Sequence, residues 1–401
     1  MNIRLISAIL LTNFFLLACQ GESDKSDASG TVSGENQDSQ PKNKVPVEAP
    51  EKLPNDSDIV PSWLDSQWVP PVSLKKFGFF VPTKPLTHGK QVYDYQVNLP
   101  LWSDGLEKVR WVFVPNDETV AFKSESPWSF PRGSVLMKHF VDPGTNRFLE
   151  SRLYVHRNQG WQALVYIWNE HQTDAALISE AKTIELADGK TWLVPGPEDC
   201  ARCHRSENPV LGITSKQMIS FDGIPNEFMD ELSARQQLTG YKNSENLQGF
   251  PALDHQSASL EDKARAMLHV NCSSCHDGSF SFDLSWQVAS DSLIGAPPQF
   301  GSLGVEEPAL IKAGSVDSSM IWLRMNLTDG RRMPAFGTSR PDSAGLAVLK
   351  DWIESLRVSD DTPPEDDDTP PEDDSTDGSE DCGGTDIFGA CLERIISDSS
   401  S

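Results

Sequence analysis

The chain of 401 residues is long enough for two or three domains, and its hydrophobic fraction of 38%, with 11 tryptophans, supports a substantial buried core. Its formal net charge of −25 argues against nucleic-acid binding, because that function needs a basic surface. The acidic balance is compatible with basic protein partners or with solubility alone.

Residues 1–18 have the anatomy of an export signal. Arg4 provides a positive start, and an apolar stretch over residues 5–17 is too short to span a membrane. It ends in Ala18-Cys19, which resembles a bacterial lipoprotein cleavage site and predicts lipidation of Cys19. An ordinary signal peptide with a chance cysteine is the alternative. Gln20, in place of Asp, favours the outer membrane, with the protein facing the periplasm or the cell surface.

Two acidic segments flank the predicted folded part. Residues 19–58 are polar and predict a disordered tether, because they contain too little apolar surface to order themselves. Residues 358–401 predict a disordered, acidic, proline-rich tail, which repeats the heptapeptide of residues 360–366 at 367–373. Near its end, Cys382 and Cys391 are suitably spaced for a small disulfide loop.

The predicted fold class is a multidomain α+β protein. Residues 59–195 contain short apolar and aromatic runs separated by Pro, Gly, Asn and Asp, which favours a mainly β domain. Residues 258–357 favour helices, the first capped by Ser259 and the last by Asp342, with mostly loop between them. Residues 196–257 form a separate segment, which contains the first of the two cysteine motifs described next and is predicted to bind the cofactor attached there.

Two Cys-x-x-Cys-His units dominate the chemistry. They occupy residues 200–204 and 272–276. This spacing is the attachment signature of a c-type haem, because two thiols on one turn can add to the two vinyl groups of a porphyrin while the next histidine binds the iron. The sequence therefore predicts two haem c groups, attached at Cys200 and Cys203 and at Cys272 and Cys275, with His204 and His276 as axial ligands.

Cysteines in such pairs have three other uses. Paired Cys-x-x-Cys units can bind zinc, but zinc does not need a histidine directly after both pairs. A thioredoxin-like redox pair belongs in a βαβ context, which this sequence lacks. Two structural disulfides suit an exported protein but leave both histidines unexplained.

The sequence indicates the sixth iron ligand of the second haem more clearly than that of the first. Met333, which precedes Pro334 on a loop before the last helix, is predicted to bind the second haem and raise its potential. For the first haem Met218 is the preferred candidate, and an open iron position is the alternative. Other candidates for the first haem are downstream Met229 and His255, and upstream His139, His156 and His171.

With its N-terminal helix, haem motif, Met-Pro loop and C-terminal helix, the region of residues 259–356 resembles a class I cytochrome c domain. The wider chain, over residues 74–356, resembles a family of bacterial diheme c-type cytochromes of unknown physiological role. Besides both haem motifs, four short sequence segments carry this resemblance. They are Leu74 with Gly78-Phe79, Leu101-Trp102-Ser103-Asp104 with Lys108 and Arg110, Phe130-Pro131-Arg132-Gly133, and Trp168-Asn169-Glu170 with Asp174-Ala175.

These features predict electron transfer with redox protein partners, such as a secreted oxidase or dehydrogenase. A first rival is a diheme peroxidase, which needs an open iron and a distal acid or base such as Glu170, His171 or Asp174. A second rival is a module in which the β domain binds a polysaccharide or a partner protein. Core packing explains the aromatic residues of that domain more simply.

Overall fold

A computed structural model describes residues 59–81, 87–205, 210–242, 246–279 and 281–356. The predicted signal peptide, Cys19, the tether, the acidic tail and the Cys382–Cys391 loop lie outside these residues. No helix in the described ranges is long and apolar enough to cross a membrane.

The main feature of the N-terminal region is a six-stranded antiparallel sheet with the strand order β3-β4-β6-β7-β8-β9. Its strands are β3 Val92–Asp94, β4 Glu107–Phe113, β6 Val135–Asp142, β7 Arg147–Arg157, β8 Gly160–Trp168 and β9 Ala175–Ile178. These strands contain four of the apolar runs in the sequence, so the prediction of a mainly β region is confirmed.

Three smaller strand pairs surround this sheet. Strands β1 Phe80–Val81 and β2 Thr87–His88 pair antiparallel, as do β10 Lys182–Glu185 and β11 Thr191–Val194. Strand β5 Val120–Ala121 pairs parallel with β12 Leu238–Thr239, which follows the first motif in the chain. This last pair ties the segment after the first motif to the β region.

The two faces of the main sheet are both covered but differ in chemistry. On the first face, Trp111, Met137 and Leu153 point into an aromatic core that also contains Trp63 and Phe79. Alternate residues point to the second face because successive side chains of a strand alternate. That second face carries charged side chains as well as apolar ones and, as shown below, lies against the first motif.

The C-terminal region contains most of the helices. They are α1 Ser215–Met218, α2 Glu227–Ala234, α3 Leu260–Cys272, α4 Met320–Asn326 and α5 Ser343–Ser355. The structure is therefore a mixed α+β protein, with an antiparallel sheet in its N-terminal region and helices in its C-terminal region.

Both predicted caps are confirmed. The Ser259 hydroxyl accepts a hydrogen bond from the Asp262 amide at the start of α3, and the Asp342 carboxylate accepts one from the Gly345 amide at the start of α5. Helices α3 and α5 share one core, which includes Ala264, Leu268, Trp352 and Ile353. The described stretch between them is mostly loop, as predicted, and contains the short helix α4, which buries Met320, Ile321 and Met325 on one side.

Candidate functional site

The second Cys-x-x-Cys-His motif forms a single turn at the end of α3. The helix ends at Cys272, whose carbonyl accepts hydrogen bonds from the amides of Cys275 at 3.0 Å and His276 at 2.9 Å. The helix therefore positions both thiols and the histidine of this motif on one continuous turn.

Two neighbours fix the imidazole of His276. The Phe282 ring stacks on it with 4.6 Å between centroids and 16° between planes. Its Nδ1 lies 2.8 Å from the Ser281 hydroxyl, and burial lowers the pKa of His276, which favours the neutral ring. A neutral imidazole held through Nδ1 presents the lone pair of Nε2, the state that a metal ligand needs.

Met333 lies beside this motif. Its side chain and that of Cys272 line one cavity, whose space of about 300 Å³ includes open solvent. Trp102, Asn271 and Met325 line the same cavity. The Met333 amide donates to the Arg324 carbonyl at 3.0 Å, which anchors its loop to the end of α4. The structure thus brings together the second motif and the predicted methionine ligand.

Residues from the β region hold the loop that follows Met333. The Asp104 carboxylate accepts hydrogen bonds from the Ser339 amide at 2.8 Å, the Ser339 hydroxyl at 2.6 Å and the Arg340 amide at 3.0 Å. The Trp102 indole donates to the Arg340 carbonyl at 3.0 Å, and its amide donates to Asn271 Oδ1 at 2.8 Å. The segment Trp102-Ser103-Asp104 is among those that carry the family resemblance, but the sequence alone does not indicate its role.

The first motif forms a similar turn, and its first three residues are the end of a 3₁₀ helix over Pro197–Arg202. The Cys200 carbonyl accepts from the amides of Cys203 at 3.3 Å and His204 at 2.9 Å, as the Cys272 carbonyl does in the second motif. Asp199 accepts a hydrogen bond from the Gly196 amide at 3.0 Å and so fixes the start of the turn. The two motifs therefore share one backbone arrangement.

This first turn packs on the second face of the main sheet. The His204 ring lies 4.9 Å from the Tyr154 ring, and Cys200 packs against the cluster that contains Phe140 and Trp192. Beyond Tyr154 the stack continues to Trp161 at 5.6 Å and from there to His156 at 4.3 Å. His156 is among the candidate ligands predicted from the sequence, but its stacking with the neighbouring aromatic rings is not predictable from the sequence.

The two motifs contact each other. Arg205 Nη1 lies 3.6 Å from Asp277 Oδ2, and these residues directly follow His204 and His276. The Cys203 side chain interacts with Cys275, and burial followed by the charge of Cys275 raises the pKa of the Cys203 thiol. The Arg202 guanidinium also lies 4.3 Å over the ring of Phe336, in the loop that carries Met333.

The thiols and histidines of both motifs fit covalent haem attachment. All four motif cysteines are free thiols, and burial raises the pKa of Cys272 to about 12, so that this thiol stays protonated. Across the described part of the chain, no three His, Cys, Asp or Glu side chains converge in a way that could hold a metal ion. Each motif retains two thiols and an adjacent imidazole.

The structure shows where the candidates for the sixth ligand of the first haem lie. Met218 is fully buried in the core around Phe228, and its sulfur accepts a hydrogen bond from Asn226 Nδ2 at 3.5 Å. Met229 packs in that same core, and His255 lies 3.6 Å from the carboxylate of Asp222. The first motif itself lies on the sheet, so the assignment of Met218 stays a prediction.

The other histidine candidates and the proposed distal residues have identifiable surroundings. His139 is fully buried on the first face of the sheet, His171 is exposed, and His156 stacks on Trp161. Asp174 accepts hydrogen bonds from the Ser73 hydroxyl at 2.5 Å and the Ala175 amide at 2.8 Å, so it joins the segment at Ser73 to the start of β9.

Comparisons with protein-family models, with curated proteins and with solved structures found no match to this chain. The assignment of a function therefore depends on the residues and contacts described above.

Proposed function

We propose that this chain is a diheme c-type cytochrome that transfers electrons. One haem would be attached through Cys200 and Cys203 and the other through Cys272 and Cys275, with His204 and His276 as axial ligands. When bound, these groups supply a reversible change between ferric and ferrous iron. The protein supplies the attachment, the orientation of the ligands and the exclusion of water.

The contact between the two motifs carries this proposal. The ion pair of Arg205 with Asp277 and the interaction of Cys203 with Cys275 join residues whose motifs begin 72 positions apart in the chain. Haems attached at adjoining turns would exchange electrons without a domain movement. A carrier with two haems can use this arrangement for transfer between them, whereas structural disulfides or separate zinc sites do not call for it.

The surroundings of Met333 support a class I cytochrome c-like arrangement for residues 258–357. Helix α3 leads into the second motif, the Met333 loop follows α4, and α5 packs against α3 in the same core. A methionine thioether opposite a histidine favours ferrous iron and raises the reduction potential. In this arrangement Ser281 orients His276, while Asp104 and Trp102 hold the Met333 loop in place.

The proposal includes export and anchoring through a lipid on Cys19, with the protein attached to the outer membrane and facing the periplasm or the cell surface. Its partners would be other redox proteins. A Cys19→Ala variant should then leave the membrane fraction, and continued partition into detergent would contradict the anchor.

The direct test counts covalent porphyrins on protein matured in a host competent for haem ligation. Intact mass together with an alkaline pyridine spectrum should give two haems per chain, with one lost in each paired variant. The pairs are Cys200→Ser with Cys203→Ser, and Cys272→Ser with Cys275→Ser. Colour that acid-acetone removes completely, or a colourless protein containing zinc, would contradict the proposal.

A further inference from the structure

A row of positive side chains crosses the second face of the main sheet beside the first motif. Arg110 on β4 pairs in register with Lys138 on β6, and Lys138 pairs with Arg152 on β7. We call Arg110, Lys138 and Arg152 the cation row. Lys108 lies two residues before Arg110 and therefore on the same face. Like charges directly opposite each other on neighbouring strands destabilise a sheet, so this arrangement needs an explanation.

The row is also partly removed from water, since Lys108, Lys138 and Arg152 are half-buried. Arg110 is only 6% exposed. Burial, followed by the charges of Arg110 and Arg152, lowers the pKa of Lys138 to about 7. The pKa of Lys108 is lowered to about 7 by burial and then by the charge of Lys138. Buried cations are costly unless an anion or several acceptors compensate them.

The carboxylates nearby compensate Arg152 but not the other members of the row. Glu150 is fully buried, but its two oxygens accept hydrogen bonds from Arg152 at 2.6 and 3.0 Å, and one of them also accepts from the Trp192 indole at 2.9 Å. Asp199, the other acid close to Cys200, lies 3.2 Å from Arg202. Each of these carboxylates is therefore already paired.

Lys108 and Arg110 have hydrogen bonds to neutral backbone carbonyls and not to carboxylates. The Lys108 ammonium donates to the Leu101 carbonyl at 2.7 Å, and Arg110 donates to the Lys108 carbonyl at 3.3 Å. The attraction of Lys138 to Glu150 is weaker than its repulsion from Arg110 and Arg152. The site therefore carries more positive charge than Glu150 compensates, and a bound anion would balance the rest.

The row begins at the first motif and leads away from it. Arg152 and Lys138 are close enough to Cys200 to interact with its thiol electrostatically. Arg110 lies two strand spacings from Arg152, which is about 10 Å in a β-sheet. In a haem, the two propionate carboxylates leave the edge of the ring opposite to the vinyl groups that bond to the cysteines. A row that extends from Cys200 is suitably placed for carboxylates at that far edge.

We infer that the cation row binds the propionate carboxylates of the first haem, with Lys138 as the central contact. This inference depends on the proposed function and assigns the orientation of the haem at that site. Carboxylates at this place would supply the charge that Arg110 and Lys138 lack. They would also explain why the sheet retains like charges in register.

The test uses full-length protein carrying both haems, with the variants Lys138→Met and Arg110→Met. The propionate bending modes in the resonance Raman spectrum should shift for one haem in each variant. Removal of a neighbouring cation should also lower the reduction equilibrium constant of that haem by about fivefold, because a positive charge disfavours ferric iron. Arg147→Met is the matched control, since Arg147 lies on β7 with Arg152 but is exposed. It should leave both readouts unchanged.

Three outcomes separate the possibilities. Unchanged propionate modes in Lys138→Met and Arg110→Met proteins that contain two haems would overturn this inference and leave the proposed function standing. Phosphate added to the parent protein could also shift the propionate modes or the potential. Such a shift would show that the cation row binds free anions, and it would overturn this inference as well. Protein without covalent porphyrin would overturn the proposed function itself. Should Lys138→Met fail to fold, Arg110→Met provides the same test from the neighbouring strand.

Discussion

Arg205 and Asp277 form an ion pair with 3.6 Å between Nη1 and Oδ2, and each residue directly follows the histidine of one Cys-x-x-Cys-His motif. Both side chains are about 40% exposed, at 39% and 41%, so the pair itself adds little stability. Its significance is positional, because it places the ends of the two motif turns next to each other.

This proximity predicts a disulfide between the motifs when haem is absent. In protein produced without haem ligation, mild oxidation should join Cys203 to Cys275, because these side chains already interact. Peptide mapping by mass spectrometry after thiol blocking would identify the link. Cys200 and Cys272 pack in different cores, so a Cys200–Cys272 link should be absent and serves as the internal control.

The pairs of cysteines that form disulfides decide whether the two motifs adjoin. A Cys203–Cys275 link supports adjoining motifs, whereas links only within each motif would contradict their contact. A Cys203→Ser variant should lose the link between motifs and retain the Cys272 and Cys275 thiols for labelling.

Replacing Met333 tests the sixth ligand of the second haem. A Met333→Ala variant should show a lower potential for one haem and an open iron position that binds cyanide, because it lacks the thioether that favours ferrous iron. Potentiometric titration and optical spectra with added cyanide measure both effects. The other haem should be unchanged.

Met218→Leu is the matched comparison for that experiment. Leucine replaces methionine at small cost in a packed core, and Met218 is fully buried. If Met218 binds the first iron, this variant should change the haem that Met333→Ala leaves unchanged. Unaltered spectra would remove Met218 from the list of ligands, and unaltered spectra for Met333→Ala would remove Met333.

Asp104 should control the Met333 loop from a distance. An Asp104→Asn change keeps a side chain that tolerates the left-handed backbone at this position, where φ is 55°, but removes the charge and one acceptor. We expect a loss of about 1–3 kcal/mol in the free energy of unfolding. The absorption band of methionine-ligated ferric haem should also weaken, although Met333 is intact.

Asp142→Asn separates loop positioning from general destabilisation. Asp142 accepts hydrogen bonds from the Gly144 amide and the Thr145 hydroxyl in the turn between β6 and β7. Its replacement should lower stability, measured by denaturant unfolding, but leave the methionine band intact. Equal loss of the band in both variants would show that Asp104 has no specific effect on the loop.

Local chemistry in the sequence predicts much of this molecule, while its long-range contacts are not predictable from such patterns. Ser259 and Asp342 cap helices as expected because capping depends on residues three positions away. Strand β11 coincides with an apolar run at residues 191–194, because the spacing of apolar residues and the turn residues around them are also local features of the sequence. By contrast, Asp104 meets Ser339 across 235 positions, and only the folded sheet and helices bring them together.

The cation row illustrates the same limit. Arg110, Lys138 and Arg152 are unremarkable charges in the sequence, and they form a row only through the register of three strands. Lys108 and Arg110 belong to the sequence segments that carry the family resemblance, but nothing in the sequence indicates their chemical role.

His139 predicts how stability depends on pH. Burial lowers its pKa from the ordinary value of 6.5 to about 3, so the folded protein keeps this ring neutral while the unfolded chain takes up a proton first. As pH falls below about 6.5, stability should therefore decrease by up to about 1.4 kcal/mol per pH unit from this group, until the pH approaches its folded pKa.

A His139→Gln variant should weaken this pH dependence. The glutamine amide can still reach the Ser151 hydroxyl, which lies 2.6 Å from His139 Nδ1, but it takes up no proton in the unfolded chain. Denaturant unfolding between pH 6 and pH 4 should give a shallower slope than in the parent. Some slope should remain because burial, followed by the charge of Arg265, lowers the pKa of His269 to about 4. The exposed His171, changed to Gln, is the control and should keep the parental slope. A slope that is identical in the His139→Gln and parent proteins would contradict the buried neutral state of His139.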